Sequence, residues 1–215
     1  MNLRRLHRDL VELHGQPDRA YSEDGVRQLL TTILSQNVTD TQTARAAESL
    51  FATYPDYRAM ENAEQSELAD VISDVGLMNQ KSRRIQRSLT RIREETGGEY
   101  TLAFLEAMAT DDAQAWLTDI KGIGPKTASV VLNFHFEKPT FAVDTHIERL
   151  ATRFGLIDEA TSAEAAHEVL NETVPDDIKY SLHVLLIAHG KQYCSAQNAD
   201  CTNAVCETYC DCEFC

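Results

Sequence analysis

Residues 117–130 read LTDIKGIGPKTASV, and this segment narrows the fold more than any other. Gly122 and Gly124 bracket Ile123, Pro125 follows, and the apolar residues on either side recur with a helical period. Glycine admits left-handed dihedrals and lets a backbone approach a ligand closely. Proline is preset for the first turn of a helix. Ile123 is placed to plug the turn into a core. The expectation is two helices joined by a tight hairpin whose amides, backed by the start of the second helix, suit a phosphate. A lone G-x-G carries little weight; the full combination carries more.

The remainder of the chain also reads as helix. Val26, Leu29, Leu30 and Ile33 form one apolar face, and Leu68, Val71, Ile72 and Val75 another, ended by Gly76. Ile85, Leu89 and Ile92 line the inner face of a basic helix that Gly97 and Gly98 stop, so its arginines are expected to look outward. Shorter helical patterns run near 102–108 and 111–117, and 126–134 is helical by pattern, although Val130 and Val131 also suit a buried strand. Thr145 with Glu148, and Thr161 with Glu164, have capping-box spacing. Residues 177–189 predict the last long helix, with Gly190 as its stop. The fold class expected is all-α.

No segment approaches the roughly 18 apolar residues a membrane span needs, so a soluble, cytoplasmic protein without membrane partners is expected. The net charge of -14 speaks against a DNA partner, since phosphates repel a negative face. The charges are not evenly spread, however. Residues 81–93 carry six cations (Lys81, Arg83, Arg84, Arg87, Arg91, Arg93) and no acid, while 157–177 carry seven acids and no Lys or Arg. A basic face on an acidic body fits this pattern, as does a pair of solvated helix faces. Only 6 of the 20 cations are lysines, a composition like that of proteins from salt-loving organisms. At 1 M salt the Debye length is about 3 Å, and a negative surface then repels DNA far less.

All six cysteines fall within residues 194–215, a segment with little apolar content. Clustering of this kind points to a metal rather than to disulfides spread through a secreted scaffold. Upstream, Lys126 stands in the first turn of the second hairpin helix, where the macrodipole disfavours a cation. Partial desolvation there would give a neutral, nucleophilic amine. Asp144 lies 18 residues on, ahead of the helix expected to be capped by Thr145, and an extended stretch around Pro139 could return it to Lys126. The residues alone equally allow Lys126 to be a phosphate contact and Asp144 a helix-start carboxylate.

Four segments together resemble the endonuclease III-type glycosylases of the helix-hairpin-helix superfamily: IKGIGPKTASVV, FAVDTHIERL, TTILSQNVTD and HGKQYC. The resemblance covers residues from about 21 to 212. It implies two helical domains with a DNA-binding cleft between them: a bundle over 21–132 holding the hairpin (about 113–130), and a second domain from 1–20 plus 133–215 with a C-terminal cluster loop. It also implies Lys126 as nucleophile, Asp144 as catalytic carboxylate, and DNA contacts from Gln36, Asn37, Asp40, Gly122, Gly124, His146 and Lys191. Arg84, Arg87 and Arg91, three and four residues apart on one helix face, are expected to contact the DNA backbone. The activity implied is that of a bifunctional glycosylase/AP lyase acting, as a monomer, on double-stranded DNA that carries damaged pyrimidines or abasic sites. A mismatch glycosylase and a non-catalytic, metal-stabilised DNA-binding module are the alternatives.

Two departures from the family pattern stand out. Asn37 occupies the position where bacterial members carry a glutamine that reaches into the opened helix. The family's C-x6-C-x2-C-x5-C becomes Cys194, Cys201, Cys206 and Cys212, with the outer gaps kept and two residues added in the middle. Cys210 and Cys215 are left over, and a set using Cys212 with Cys215 competes. Four thiolates suit zinc as well as a [4Fe-4S] cluster; the resemblance selects the cluster.

Overall fold

The computed structural model describes the chain except residues 20, 21, 23, 198 and 211–215. The described residues form helices α1 (Leu3–His14), α2 (Gly25–Leu34), α3 (Asp40–Thr53), α4 (Tyr57–Asn62), α5 (Gln65–Val71), α6 (Met78–Glu95) and α7 (Phe104–Ala107). They continue with α8 (Thr110–Asp119), α9 (Pro125–Phe134), α10 (Thr145–Arg153), α11 (Ala163–Thr173), a 3-10 turn (Asp176–Ile178), α12 (Lys179–Gln192) and α13 (Ala204–Tyr209). The all-α class is as the periodicity predicts. Val130 and Val131 lie within α9, and the described residues hold an isolated bridge between Cys194 and Ala199 but no sheet. No helix among them is long and apolar enough to cross a membrane.

The chain divides into two compact units, Tyr21–Phe136 and Met1–Ala20 with Glu137–Cys215. In the first, here the hairpin unit, Val26, Leu29, Leu30 and Ile33 of α2 and Ile85, Leu89 and Ile92 of α6 are all fully buried in one core. Each such side chain contributes about 1.5–3 kcal/mol relative to exposure. Asp24 caps α2, one carboxylate oxygen accepting from the amides of Val26 (2.8 Å) and Arg27 (3.1 Å) and the other from the Tyr57 hydroxyl. Burial first, and then Asp24, hold the Tyr57 phenol well above its ordinary pKa. α6 ends where Gly97 and Gly98 take positive φ, as expected of that pair.

In the second, the terminal unit, Leu6 and Leu10 of α1 share a core with Ile147 and Leu150 of α10 and Leu182, Leu185 and Leu186 of α12. α12 does not stop at Gly190 but runs on to Gln192. A side chain at Gly190 would meet His146 Cβ at 3.1 Å and Leu150 Cδ1 at 3.3 Å, so this glycine allows α10 and α12 to pack closely. Neither expected capping box forms; a single side-chain cap one residue away takes its place. α10 is capped by Asp144 rather than Thr145, and α11 by Ser162 rather than Thr161, because in each case the neighbour takes the extended conformation a cap needs.

Residues 139–143 approach α10 as extended backbone with side chains in place of a partner strand. Lys179 Nζ donates to the Pro139 carbonyl (2.8 Å), the Phe141 amide donates to Asn171 Oδ1 (2.8 Å), His183 Nδ1 donates to the Ala142 carbonyl (2.9 Å), and the Val143 amide donates to His167 Nδ1 (3.3 Å). These bonds satisfy a buried backbone that would otherwise be costly. They also fix the approach of the chain to Asp144.

Candidate active site and cysteine centre

The hairpin forms at residues 120–124 between α8 and α9, and Ile123 is buried as expected. Gly122 has φ 102, whereas Gly124 has φ -96, so only the first glycine uses left-handed freedom. A side chain at Gly122 would also meet Arg84 Cγ at 2.7 Å. No side chain caps α9, so its first amides have no side-chain acceptor among the described residues.

Lys126 is exposed, not partly desolvated, although Thr127 and Ala128 beside it in the first turn of α9 are buried. It borders a cleft of about 230 Å³ between α2 and α9, lined also by Gln28, Thr31, Thr32, Ser35, Gln36, Thr127, Val130 and Phe134. Within it, Gln36 donates from Nε2 to Thr127 Oγ1 (3.0 Å) and accepts at Oε1 from Arg84. Asn37 is exposed with φ 57, a left-handed conformation that asparagine tolerates better than most residues. That backbone requirement is a physical reason for asparagine at this position. Asp40 stands exposed in the first turn of α3, next to a complete capping box of Thr39 and Gln42.

Two features of α6 escaped the sequence reading. Leu77 is 50% exposed with φ 61, an apolar side chain held outward on a strained backbone at the start of the helix. Lys81 belongs to the core, not to the basic face: it is fully buried and donates from Nζ to the Leu34 carbonyl (2.8 Å). Burial, assisted by Arg84, pushes its pKa down to about 8. Most of the arginines already have partners. Arg83 donates to Gln65 (3.0 Å), Arg91 pairs with Glu95 (2.7 Å) and lies over the Trp116 ring, and Arg93 pairs with Glu61 (3.0 Å). Arg84 is half-buried, and Arg87 is exposed without an ion pair among the described residues.

In the terminal unit, Asp144 Oδ1 accepts from the amides of His146 (3.0 Å) and Ile147 (2.8 Å). Its other oxygen takes no hydrogen bond among the described residues. Arg149 donates to His146 Nδ1 (3.0 Å) and to the carbonyls of Gly190 (3.0 Å) and Cys194 (3.0 Å), which ties α10 to the end of α12. Lys191 is exposed.

Cys194 and Cys206 are buried and Cys210 is half-buried. Arg153 donates to Cys194 Sγ (2.8 Å), and Asn203 Nδ2 lies 3.3 Å from Cys206 Sγ. His189 bridges His14 (3.1 Å) and Cys206 Sγ (3.3 Å) through its two ring nitrogens. Burial, with His14 adding to it, pushes the His189 pKa down to about 4, so the ring is neutral at pH 7. Cys201 is in a disulfide; Cys212 and Cys215 lie outside the described residues. No group of three or more His, Cys, Asp or Glu side chains suited to a metal occurs among the described residues.

Residues 30–176 match the HhH-GPD superfamily of base excision DNA repair proteins. Endonuclease III of Thermotoga maritima is 30% identical over 87% of this chain and 83% of its own length. Endonuclease III of Rickettsia conorii is 35% identical over 86% of this chain and 83% of its own. The chain belongs to the HhH-GPD superfamily. It is an enzyme, an endonuclease III-like DNA glycosylase of base excision repair. A protein of Arabidopsis thaliana is 34% identical over 76% of this glycosylase, which spans 55% of that plant relative. Solved structures agree on the fold. An endonuclease III in a non-covalent complex with DNA superposes with a TM-score of 0.82 at 24% identity, covering 97% of this chain and 94% of that one. A thermostable thymine-DNA glycosylase superposes at 0.78 and 19% identity, again over 97% and 94%.

Proposed function

We propose that this glycosylase removes oxidised pyrimidines from double-stranded DNA and then cleaves the strand at the abasic site by β-elimination. The observation that carries the reading is Lys126, an exposed amine in the first turn of the second hairpin helix, beside a cleft with a polar wall. The uncapped amides of α9 and the turn at Gly122 and Gly124 hold a DNA phosphate. The damaged nucleotide leaves the stack, since its sugar carbon is otherwise out of reach. Leu77, an exposed apolar side chain, is of the kind that parts stacked bases.

The Lys126 amine attacks the anomeric carbon as the base departs with the bonding pair. Opening of the sugar C1′–O4′ bond, with a proton passing from the amine nitrogen to the ring oxygen, then gives the Schiff base, which makes the neighbouring sugar carbon acidic enough to lose a proton and eliminate the 3′ phosphate. Asp144, with one oxygen capping α10 and the other uncommitted, supplies a carboxylate to the amine and to the charge that develops on the sugar. Exposed Asn37, Arg87 and Lys191, with Asp40 and His146, complete the DNA-facing set. The enzyme acts as a monomer.

The donor chemistry of the tail fits an iron-sulfur cluster. Buried Cys194 and Cys206 already receive N–H donors from Arg153 and Asn203, which suits sulfurs carrying negative charge. Cys194, Cys201, Cys206 and Cys212 would hold the [4Fe-4S] group, with the Cys201 disulfide reduced. Bound there, it supplies a covalent cross-link for a segment with little apolar core of its own.

Borohydride added during reaction reduces the Schiff base and joins protein to DNA permanently. Wild type is expected to form this adduct on a duplex with an oxidised pyrimidine. Lys126→Gln is expected to lose trapping and strand cleavage while keeping most DNA affinity. An adduct that persists in Lys126→Gln refutes the assignment. Faster excision of a mispaired thymine than of an oxidised pyrimidine would favour a mismatch enzyme instead.

A further inference from the structure

The cleft beside Lys126 has one polar group whose orientation the surrounding chemistry fixes. Gln36 comes from the loop after α2, Thr127 from α9 and Arg84 from α6. Arginine only donates, so the Gln36 oxygen must face Arg84 and its NH2 group must face the other way. One of those two protons goes to Thr127 Oγ1 at 3.0 Å. The other has no acceptor among the described residues, and Gln36 lines the cleft. Arg84 reaches Gln36 only because residue 122 is glycine: a Cβ there would lie 2.7 Å from Arg84 Cγ and 2.9 Å from Nε.

We infer that Gln36, oriented by Arg84, determines which damaged bases this enzyme accepts. Its free N–H is a donor fixed beside the nucleophile, and it selects pyrimidines that present a 4-oxo group over those that present a 4-amino group. Arg84 is then a positioning residue for recognition as well as a cation of α6. The inference rests on the proposal that Lys126 attacks a nucleotide held in this cleft.

The test uses 5-hydroxyuracil and 5-hydroxycytosine in otherwise identical duplexes, because these lesions differ at the 4-position and in the N3 protonation that goes with it. The readout is the ratio of their excision rates within each protein, so losses common to both lesions cancel. Wild type is expected to favour 5-hydroxyuracil. Gln36→Glu, nearly the same size, replaces the donor by an acceptor that Arg84 keeps ionised, and the ratio should fall by roughly tenfold or more. Arg84→Met frees the amide to flip, and the ratio should move towards one; Arg84→Lys, which keeps a donor, should recover part of it. Should Arg84→Met fail to fold, Gln36→Glu carries the test alone. Wild-type trapping on abasic DNA is run alongside. Trapping with an unchanged ratio in Gln36→Glu overturns this inference and leaves the proposed reaction standing. Absence of wild-type trapping overturns the proposed reaction, and this inference with it.

Discussion

Replacing Lys81 by methionine should change how the hairpin unit's stability responds to pH. Buried Lys81 has a folded-state pKa of about 8 against an ordinary 10.5. Below about pH 8 the amine is protonated in both the folded and unfolded chain, and the folded state carries the cost of a buried cation. Between about pH 8 and 10.5 the unfolded chain holds more protons, so stability rises with pH; above 10.5 the effect is complete. At about 1.4 kcal/mol per pKa unit the rise is at most about 3.5 kcal/mol. Lys81→Met removes this rise and also leaves the Leu34 carbonyl without its donor, a pH-independent loss of about 1 kcal/mol. Trp116, the single tryptophan, lies in the same core as α6 and reports urea unfolding by fluorescence. The stability difference, wild type minus variant, should climb across this window. Parallel curves from about pH 7 to about pH 11 would refute the argument, because a lysine that keeps its proton throughout cannot produce the slope.

Asp144→Asn should retain the α10 cap, since asparagine caps as well as aspartate, yet slow base removal by about 10²- to 10⁴-fold in single-turnover assays. An unaltered rate would remove Asp144 from the chemistry. His167 accepts from the Val143 amide and is held below its ordinary pKa by burial, so protonation below about pH 6.5 should break that bond and destabilise residues 139–143. The Val143 amide protection factor, read by hydrogen exchange, should fall as pH drops in wild type and stay level in His167→Gln. Gly122→Ala forces both a positive φ and a clash with Arg84, and should cost at least about 1 kcal/mol by urea unfolding, with a result near zero counting against the hairpin geometry. Metal analysis should find iron and sulfide near four of each per chain, retained in Cys210→Ser and lost in Cys206→Ser; one zinc and no sulfide would overturn the cluster.

The buried helix faces were legible because a 3.6-residue period records burial directly, as Val26 to Ile33 and Ile85 to Ile92 show. Caps were legible only to within a residue: Asp144, Thr145, Thr161 and Ser162 all have side chains able to cap, and backbone conformation alone selects among them. Gly190 resembled a helix stop because a glycine required by a neighbouring helix has no local signature. Lys81 was hidden inside a run of cations, since charge patterning carries no information on which member turns inward to a carbonyl from another helix. For the same reason Gln36, Arg84 and Thr127 gave no sign of being a unit. They are separated by 48 and 91 residues along the chain from Gln36 and meet only in the fold.

The pairing of the α6 arginines within the protein has a consequence for how DNA is held. The salt sensitivity of DNA binding comes mostly from counterions that protein cations displace, about 0.9 in log K per decade of salt for each phosphate neutralised. Arg91 and Arg93 are already paired with Glu95 and Glu61, so much of the charge they could set against phosphate is balanced within the protein. In the binding mode proposed above, by contrast, the hairpin amides hold phosphate as dipoles and carry no net charge. A chain of net charge -14 that binds in this way displaces few counterions, and its affinity for duplex should decline slowly as salt is added.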